Sequence, residues 1–212
     1  MLTKRDKEVL KDLQRFRCMD RDSIAELHFG GLKHPVHSAN NVMLRLMRDG
    51  EVTRSNIYTP FVYFPAETQI KKNGQKVHHF LAILDVYKEL RRLGDLGTFL
   101  VEPKYGKKGV AEPDIYCQYR RTGFFVEVQR TIYSEKQMRD KLDRYVDLYN
   151  SGIMAAPFPH VLILADHRYA IEGNYPFRIF QANSFTEFVQ SLKPQPQPVN
   201  QVVSSTVKIK IG

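Results

Sequence analysis

Asp114, Glu127 and Gln129 are the side chains of this chain best suited by type and spacing to chemistry. Pro113-Asp114 opens one apolar run, IYCQY, and a short turn from Arg120 to Gly123 leads into a second, FFVEVQ. Side chains alternate faces along a strand, so Glu127 and Gln129 leave the second run on the same face. If the run after Asp114 pairs with it, three oxygen-bearing side chains meet on one sheet, a donor set for Mg²⁺ or Mn²⁺. Such an ion polarises a phosphoryl group and lowers the pKa of a bound water, which makes a nucleophile near neutral pH. Gln129 ligates through its amide oxygen or positions a water, but it carries no charge and cannot act as a base. The cation is therefore expected from the following helix, from Lys141 in preference to Lys136, because Lys141 lies nearer the apolar face. Each residue also has a plainer reading, with Asp114 a turn former at a strand start and Glu127 and Gln129 a solvent-facing pair. Tyr133, just past the second run, is a covalent nucleophile on one reading and an ordinary packing aromatic on the other.

Asp114, Glu127 and Gln129 resemble the PD-(D/E)xK signature of restriction-endonuclease-like folds, with Gln129 in the slot usually held by Lys. An N-terminal helical module, then PD…FFVEVQR, then a helix ending KLDRY, resembles the plasmid replication-relaxation family over most of Met1 to roughly Ala182. That family includes the restriction-endonuclease-like relaxases of plasmid mobilisation. The resemblance implies an α/β (α+β) chain: an N-terminal winged helix-turn-helix followed by a PD-(D/E)xK mixed sheet with flanking helices. It implies Asp114, Glu127 and Gln129 as catalytic residues and metal ligands, with Lys141, the cation chosen above from its place on the helix, as the fourth catalytic residue, and Mg²⁺ or Mn²⁺ as cofactor. Asp85 or Glu89, on the helix before the sheet, would lend a further acid, against the plainer reading of Asp85–Lys88 and Glu89–Arg92 surface pairs. The relaxases are expected to carry a second acid where Gln129 stands and a lysine where Tyr133 stands, so this chain lacks a carboxylate and a cation of that pattern. Two functions stay open. One is a metal-dependent DNA-nicking endonuclease or relaxase; the other is a catalytically silent DNA-binding accessory of replication or mobilisation, or a transcriptional regulator. The partner in both is double-stranded DNA, a plasmid origin region, with a homodimer as a further option.

Composition bounds these readings. The chain has 212 residues, 42% hydrophobic and 26% charged, enough for one large or two small cores. A formal charge of +9 favours a polyanionic partner, because neutralised phosphates release counterions. No apolar run is long enough to span a bilayer, and MLTKRDKEVL has no secretory apolar region, so a cytoplasmic protein without membrane contact is expected. Cys18 and Cys117, far apart and without a CxxC partner, argue against a disulfide scaffold and a zinc site and read as two partly buried free thiols.

The elements that must position these residues follow in order. Thr3 and Asp6 cap a helix with Val9, Leu10, Leu13 and Phe16 inward. Asp20 or Asp22 opens a second helix, and Ser38 a third, with Val42, Met43, Leu46 and Met47 inward, ending at Asp49-Gly50. Two β-rich pieces within Glu51 to Phe64 complete residues 1–70 as a winged helix-turn-helix. Its third helix leaves His37, Asn40, Asn41, Arg45 and Arg48 off the apolar stripe, as DNA-binding residues for the major groove, against the plainer reading of a winged helix used for protein contacts with Arg45 and Arg48 on a solvated face. Lys71-Lys72-Asn73-Gly74 marks a boundary, and residues 71–192 form the nuclease-like domain. Within it are expected a helix over Val77 to Leu93, a strand over Phe99 to Pro103, a basic turn YGKKG, and the two core strands. After these come a helix capped by Ser134 and Gln137 with Met138, Leu142, Tyr145 and Tyr149 inward, the buried strand HVLILAD, the strand FRIFQA, and a closing helix to Leu192. Residues 193–212 read as a proline-rich linker and an alternating tail.

Overall fold

The computed structural model of the chain describes residues 1–106 and 109–192. Two residues of the YGKKG turn and the whole proline-rich tail lie outside the described residues. The chain is a mixed α/β protein with six helices and two sheets among the described residues.

The N-terminal elements follow their local signals. Helix α1 (Lys4–Phe16) opens on a capping box in which the Thr3 hydroxyl accepts from the Asp6 backbone and the Asp6 carboxylate accepts from the Thr3 backbone. After the short strand β1 (Met19–Asp20), the Asp20 carboxylate accepts from Ser23 N and Oγ and so opens α2 (Arg21–Phe29). Helix α3 (Pro35–Arg48) starts earlier than the expected Ser38, because Pro35 takes the first helical position, where its fixed φ fits and its missing N–H costs nothing. It stops at Asp49-Gly50, where Gly50 takes φ 77°. Strands β2 (Val52–Ser55) and β3 (Val62–Pro65) form an antiparallel hairpin, and β1 pairs with β3 to give the order β1-β3-β2.

The second sheet is built around the candidate residues. Helix α4 (Gln75–Leu93) precedes β4 (Leu96–Val101), which begins ahead of the expected Phe99 and carries an irregularity between those two residues. Strands β5 (Ile115–Tyr119) and β6 (Thr122–Val128) are joined by Arg120 and Arg121, both at positive φ, the geometry of a tight two-residue hairpin. Helix α5 (Glu135–Asn150) then crosses over to β7 (His160–Leu164), which pairs parallel to β6, and β8 (Ile179–Ala182) adds parallel to β7. The chain closes on α6 (Phe185–Ser191), and the sheet order is β4-β5-β6-β7-β8. Both faces of the sheet are covered: α5 packs over Phe125, Val161 and Ile163, while α4 and α6 pack over Cys117, Phe124 and Leu162. The α5 stripe is Met138, Leu142, Tyr145 and Leu148. The expected Tyr149 is exposed, because the helical period brings Leu148 inward, and its ring stacks edge-on against Phe158.

The boundary expected at Lys71–Gly74 is a turn that does not separate two cores. One apolar cluster runs from Phe16, Met19 and Phe64 through Phe80, Ile83 and Tyr87 of α4 to Phe99, Phe124 and Phe188. Arg15 of α1 fastens the junction, with its guanidinium 4.8 Å from the Tyr87 ring centre and 5.1 Å from that of Phe99, and a hydrogen bond to Phe99 O at 2.5 Å.

Candidate functional site

Strand register brings the two acids together. Ile115 of β5 faces Val126 of β6, so one step further along the ladder Asp114 stands opposite Glu127. Val128 N closes the gap by donating to Asp114 Oδ2 at 2.7 Å. On α5, Lys141 and Tyr145 share the inward face with Met138 and reach down onto the strand. Tyr145 donates its hydroxyl to Glu127 Oε1 at 2.5 Å, and Lys141 Nζ lies 2.5 Å from Oε2. Lys141 approaches off the hydrogen-bond line, so Oε2 is charge-balanced without an aligned donor. His79 of α4 completes the group, with Nε2 at 3.2 Å from Asp114 Oδ1.

Burial decides the charges. Glu127 is only 2% exposed; burial, then the neighbouring Asp114 charge, push its carboxyl up to about 7, against the opposing pull of Lys141 and Tyr145. Burial also works to raise Asp114, but the His79 hydrogen bond, the Lys141 charge and the Val128 N–H together hold it below the ordinary carboxylate range. The bond to Asp114 raises His79 over the opposing effect of burial. For Lys141, burial favours the neutral amine, and the Glu127 and Asp114 charges overcome it, so the ammonium form is favoured. The directions agree on an anionic Asp114, a cationic Lys141 and a Glu127 that shares its proton near neutrality.

A cleft of about 450 Å³ opens beside this cluster. Asp114, Gln129 and Lys141 line it, together with Lys76, His78, His79, Arg130 and Tyr133, so cations outnumber the single carboxylate on its walls. Glu127 is not on the wall; it lies buried in contact with Lys141. Gln129 shares the cleft, but its amide donates to Thr131 O at 2.7 Å, which binds the side chain to its own loop. Asp85 and Glu89 are elsewhere. Asp85 pairs with Lys88 at 2.8 Å, and Glu89 accepts from Thr186 N and Oγ1 at the start of α6, so the acid expected from this helix is replaced by His79. Spacing on α4 gave a hint, since Gln75, Lys76 and His79 share a face at its first turns. Tyr133 stands at the rim with its ring 5.4 Å from Lys141 Nζ.

The α3 residues divide. His37 and Asn41 are exposed and bonded to each other at 3.0 Å, Arg48 is exposed, and Asn40 is half-buried. With Leu44, the residues His37, Asn41 and Arg48 follow one another at helical spacing as an exposed stripe. Arg45 does not join them. Its guanidinium bonds the buried Asp6 carboxylate at 2.7 Å and ties α3 to α1.

The donor set does not fit Mg²⁺ or Mn²⁺ as the chain holds it. Both Asp114 oxygens are engaged by His79 and Val128, one Glu127 oxygen by Tyr145, and the Lys141 ammonium occupies the approach to the other. Among the described residues no group of three or more His, Cys, Asp or Glu side chains is placed to hold a metal ion. No helix among them is long and apolar enough to cross a membrane. Protein-family models, curated proteins and solved structures all give no match to this chain.

Proposed function

We propose that this chain is a double-stranded-DNA-binding protein of the kind that serves plasmid replication or mobilisation. A winged helix-turn-helix would contact the duplex, and a nuclease-like cleft would hold its backbone. The observation that carries the proposal is the cationic cleft, in which Lys76, Arg130 and Lys141 gather at the end of the sheet beside Asp114. Support for the first half comes from the element order α1-β1-α2-α3-β2-β3, the sheet order β1-β3-β2, and the exposed His37, Asn41 and Arg48 on α3. For the second half, the support is a mixed sheet flanked by α4 and α5, with Asp114 and Glu127 opposite each other on neighbouring strands. In this reading the cluster is charge-balanced by Lys141, and the cleft binds phosphate through its cations without cutting it.

A second reading, a Mg²⁺- or Mn²⁺-dependent nicking enzyme, is favoured by one observation, the convergence of Asp114, Glu127 and Lys141 in one cluster. Two measurements separate them. Duplex binding followed by fluorescence anisotropy should weaken in Lys76→Ala and Arg130→Ala, with the salt slope falling by about one for each phosphate contact removed. Unchanged affinity in both variants would take the cleft out of the DNA interface. Supercoiled plasmid incubated with protein and Mn²⁺ should stay supercoiled. Open-circle product that disappears in Asp114→Ala would establish the nicking enzyme instead.

A further inference from the structure

One loop lines the cleft and a second touches one of its lining residues. From the β2–β3 loop, Tyr58 sets its ring edge-on to His78 at 5.5 Å, and His78 lines the cleft. From the segment after β6, Gln129, Arg130, Thr131 and Tyr133 line it. Each loop holds an isoleucine out in solvent: Ile57 is 63% exposed and Ile132 is 80% exposed. Single exposed apolar residues are ordinary on a protein surface. Apart from the chain-terminal Met1, however, these two are the most exposed large apolar side chains among the described residues; Ile132 stands between the cleft-lining Thr131 and Tyr133, and Ile57 precedes Tyr58, whose ring meets the cleft-lining His78.

Ile132 is also held in place. On one side of it, Thr131 O accepts from Gln129 Nε2 at 2.7 Å; on the other, Tyr133 N donates to the Tyr169 hydroxyl at 3.2 Å. The Tyr169 hydroxyl in turn reaches Thr131 O at 3.5 Å, so one buttress spans both neighbours of the isoleucine. A β-branched side chain is stiff at χ1, and a braced backbone keeps it pointed outward. Without the bracing, the hydrophobic effect would favour folding such a group of the six-residue β6–α5 segment against the surface.

We propose that Ile132, assisted by Ile57, is a wedge that enters the base stack of a duplex whose backbone lies in the cleft, and opens a base step there. Apolar wedges beside phosphate-binding cations do this in minor-groove and architectural proteins: the cations hold the backbone while the wedge replaces stacking contacts. The inference rests on the DNA-binding reading above and adds to it that the bound DNA is distorted. It also gives the bracing by Gln129 and Tyr169 a purpose, since a wedge on a slack loop would yield before the stack did.

The test uses duplexes carrying 2-aminopurine at successive positions, at low salt, where backbone contacts suffice for binding. Anisotropy reports binding, and 2-aminopurine emission reports unstacking. The whole chain should raise the emission at a subset of positions. Ile132→Ala should lose more than half of that rise at protein concentrations that restore saturation, with Kd weakened by roughly ten- to a hundredfold, the scale of one buried apolar side chain. Ile132→Leu should keep the rise, and Ile57→Ala should reduce it in part. Binding without any rise, or a rise untouched by Ile132→Ala, overturns the wedge and leaves the DNA-binding reading standing. No anisotropy change at any position overturns both.

Discussion

Removing the Lys141 ammonium should make the stability of this protein depend on pH above neutrality, where the native chain has levelled off. Glu127 has its carboxyl pushed up from 4.5 to about 7 by burial and by Asp114. An acid whose folded pKa lies above its unfolded value binds its proton more tightly in the folded state. Its contribution is whole below the unfolded pKa, declines as pH rises to the folded pKa, and is flat beyond. In the native chain that decline ends near pH 7 because Lys141, 2.5 Å away, then balances the carboxylate. Lys141→Met keeps the burial and the Asp114 repulsion but deletes the counter-charge, so Glu127 stays protonated to higher pH and the decline continues. Each further pH unit then costs roughly 1.4 kcal/mol that the native chain does not lose. The gap should be small near pH 6 and reach about 3 kcal/mol near pH 9, within the range for breaking a buried ion pair. His79 is raised by its bond to Asp114 and lowered by the Lys141 charge, so its share of the pH dependence also changes when Lys141 is removed; the part of the gap that Glu127→Gln abolishes is the part due to Glu127. Urea titrations at pH steps across this window give the comparison directly. Adding Glu127→Gln to Lys141→Met removes the titrating group and should flatten the growth of the gap. A gap that is constant from about pH 6 to 9 would refute the assignment of Lys141 as the counter-ion of a buried Glu127.

Three further outcomes test the placement of other residues. Arg45→Ala should lower the urea midpoint by leaving the buried Asp6 carboxylate without its guanidinium partner; a midpoint equal to the native one would detach Arg45 from the fold. The Asp6 carboxyl is lowered by Arg45 and the Thr3 bonds over the opposing effect of burial, so its share of stability is present above the ordinary carboxyl pKa and lost on acidification below it. Arg48→Ala should weaken duplex binding and reduce the salt slope by about one, with no change in urea midpoint, which separates the exposed arginine from the bonded one. Glu89→Ala should cost about 1–2 kcal/mol in urea denaturation, because Thr186 N and Oγ1 lose their acceptor where α6 begins.

Local signals carried most of the elements and little of what joins them. The capping residues Thr3, Asp20 and Ser134 each accept at a helix start, and a cap is a contact between residues three apart, visible in a short window. The facing of Asp114 and Glu127 was also within reach, because a tight turn between two apolar runs fixes their register. Lys141 could be placed on the inward face because it shares the helical period of Met138 and Tyr145. The sequence could not show that His79 finds Asp114, that Arg45 finds Asp6, or that Glu89 anchors α6. Each partner is far along the chain, and each residue alone reads as an ordinary charge on a helix. For Arg45, the expectation was DNA contact; the acid that binds it lies in the first turn of α1, too far along the chain to leave a local signal.

The position of the lysine has a physical consequence for the cleft. A lysine in place of Gln129 would sit at the open end of β6, on the Glu127 side, and could be drawn out by a phosphate. Lys141 instead descends from α5 with its stem packed beside Met138 and Tyr145, and its ammonium is fastened to a carboxylate that is itself buried. The charge balance of the cluster therefore depends on the docking of α5 against the sheet, through Met138, Leu142 and Phe125. A divalent ion entering beside Asp114 would meet that positive charge, since the largely buried lysine reaches the wall of the cleft. On the DNA-binding function proposed above, that ammonium would join Lys76 and Arg130 in holding a phosphodiester.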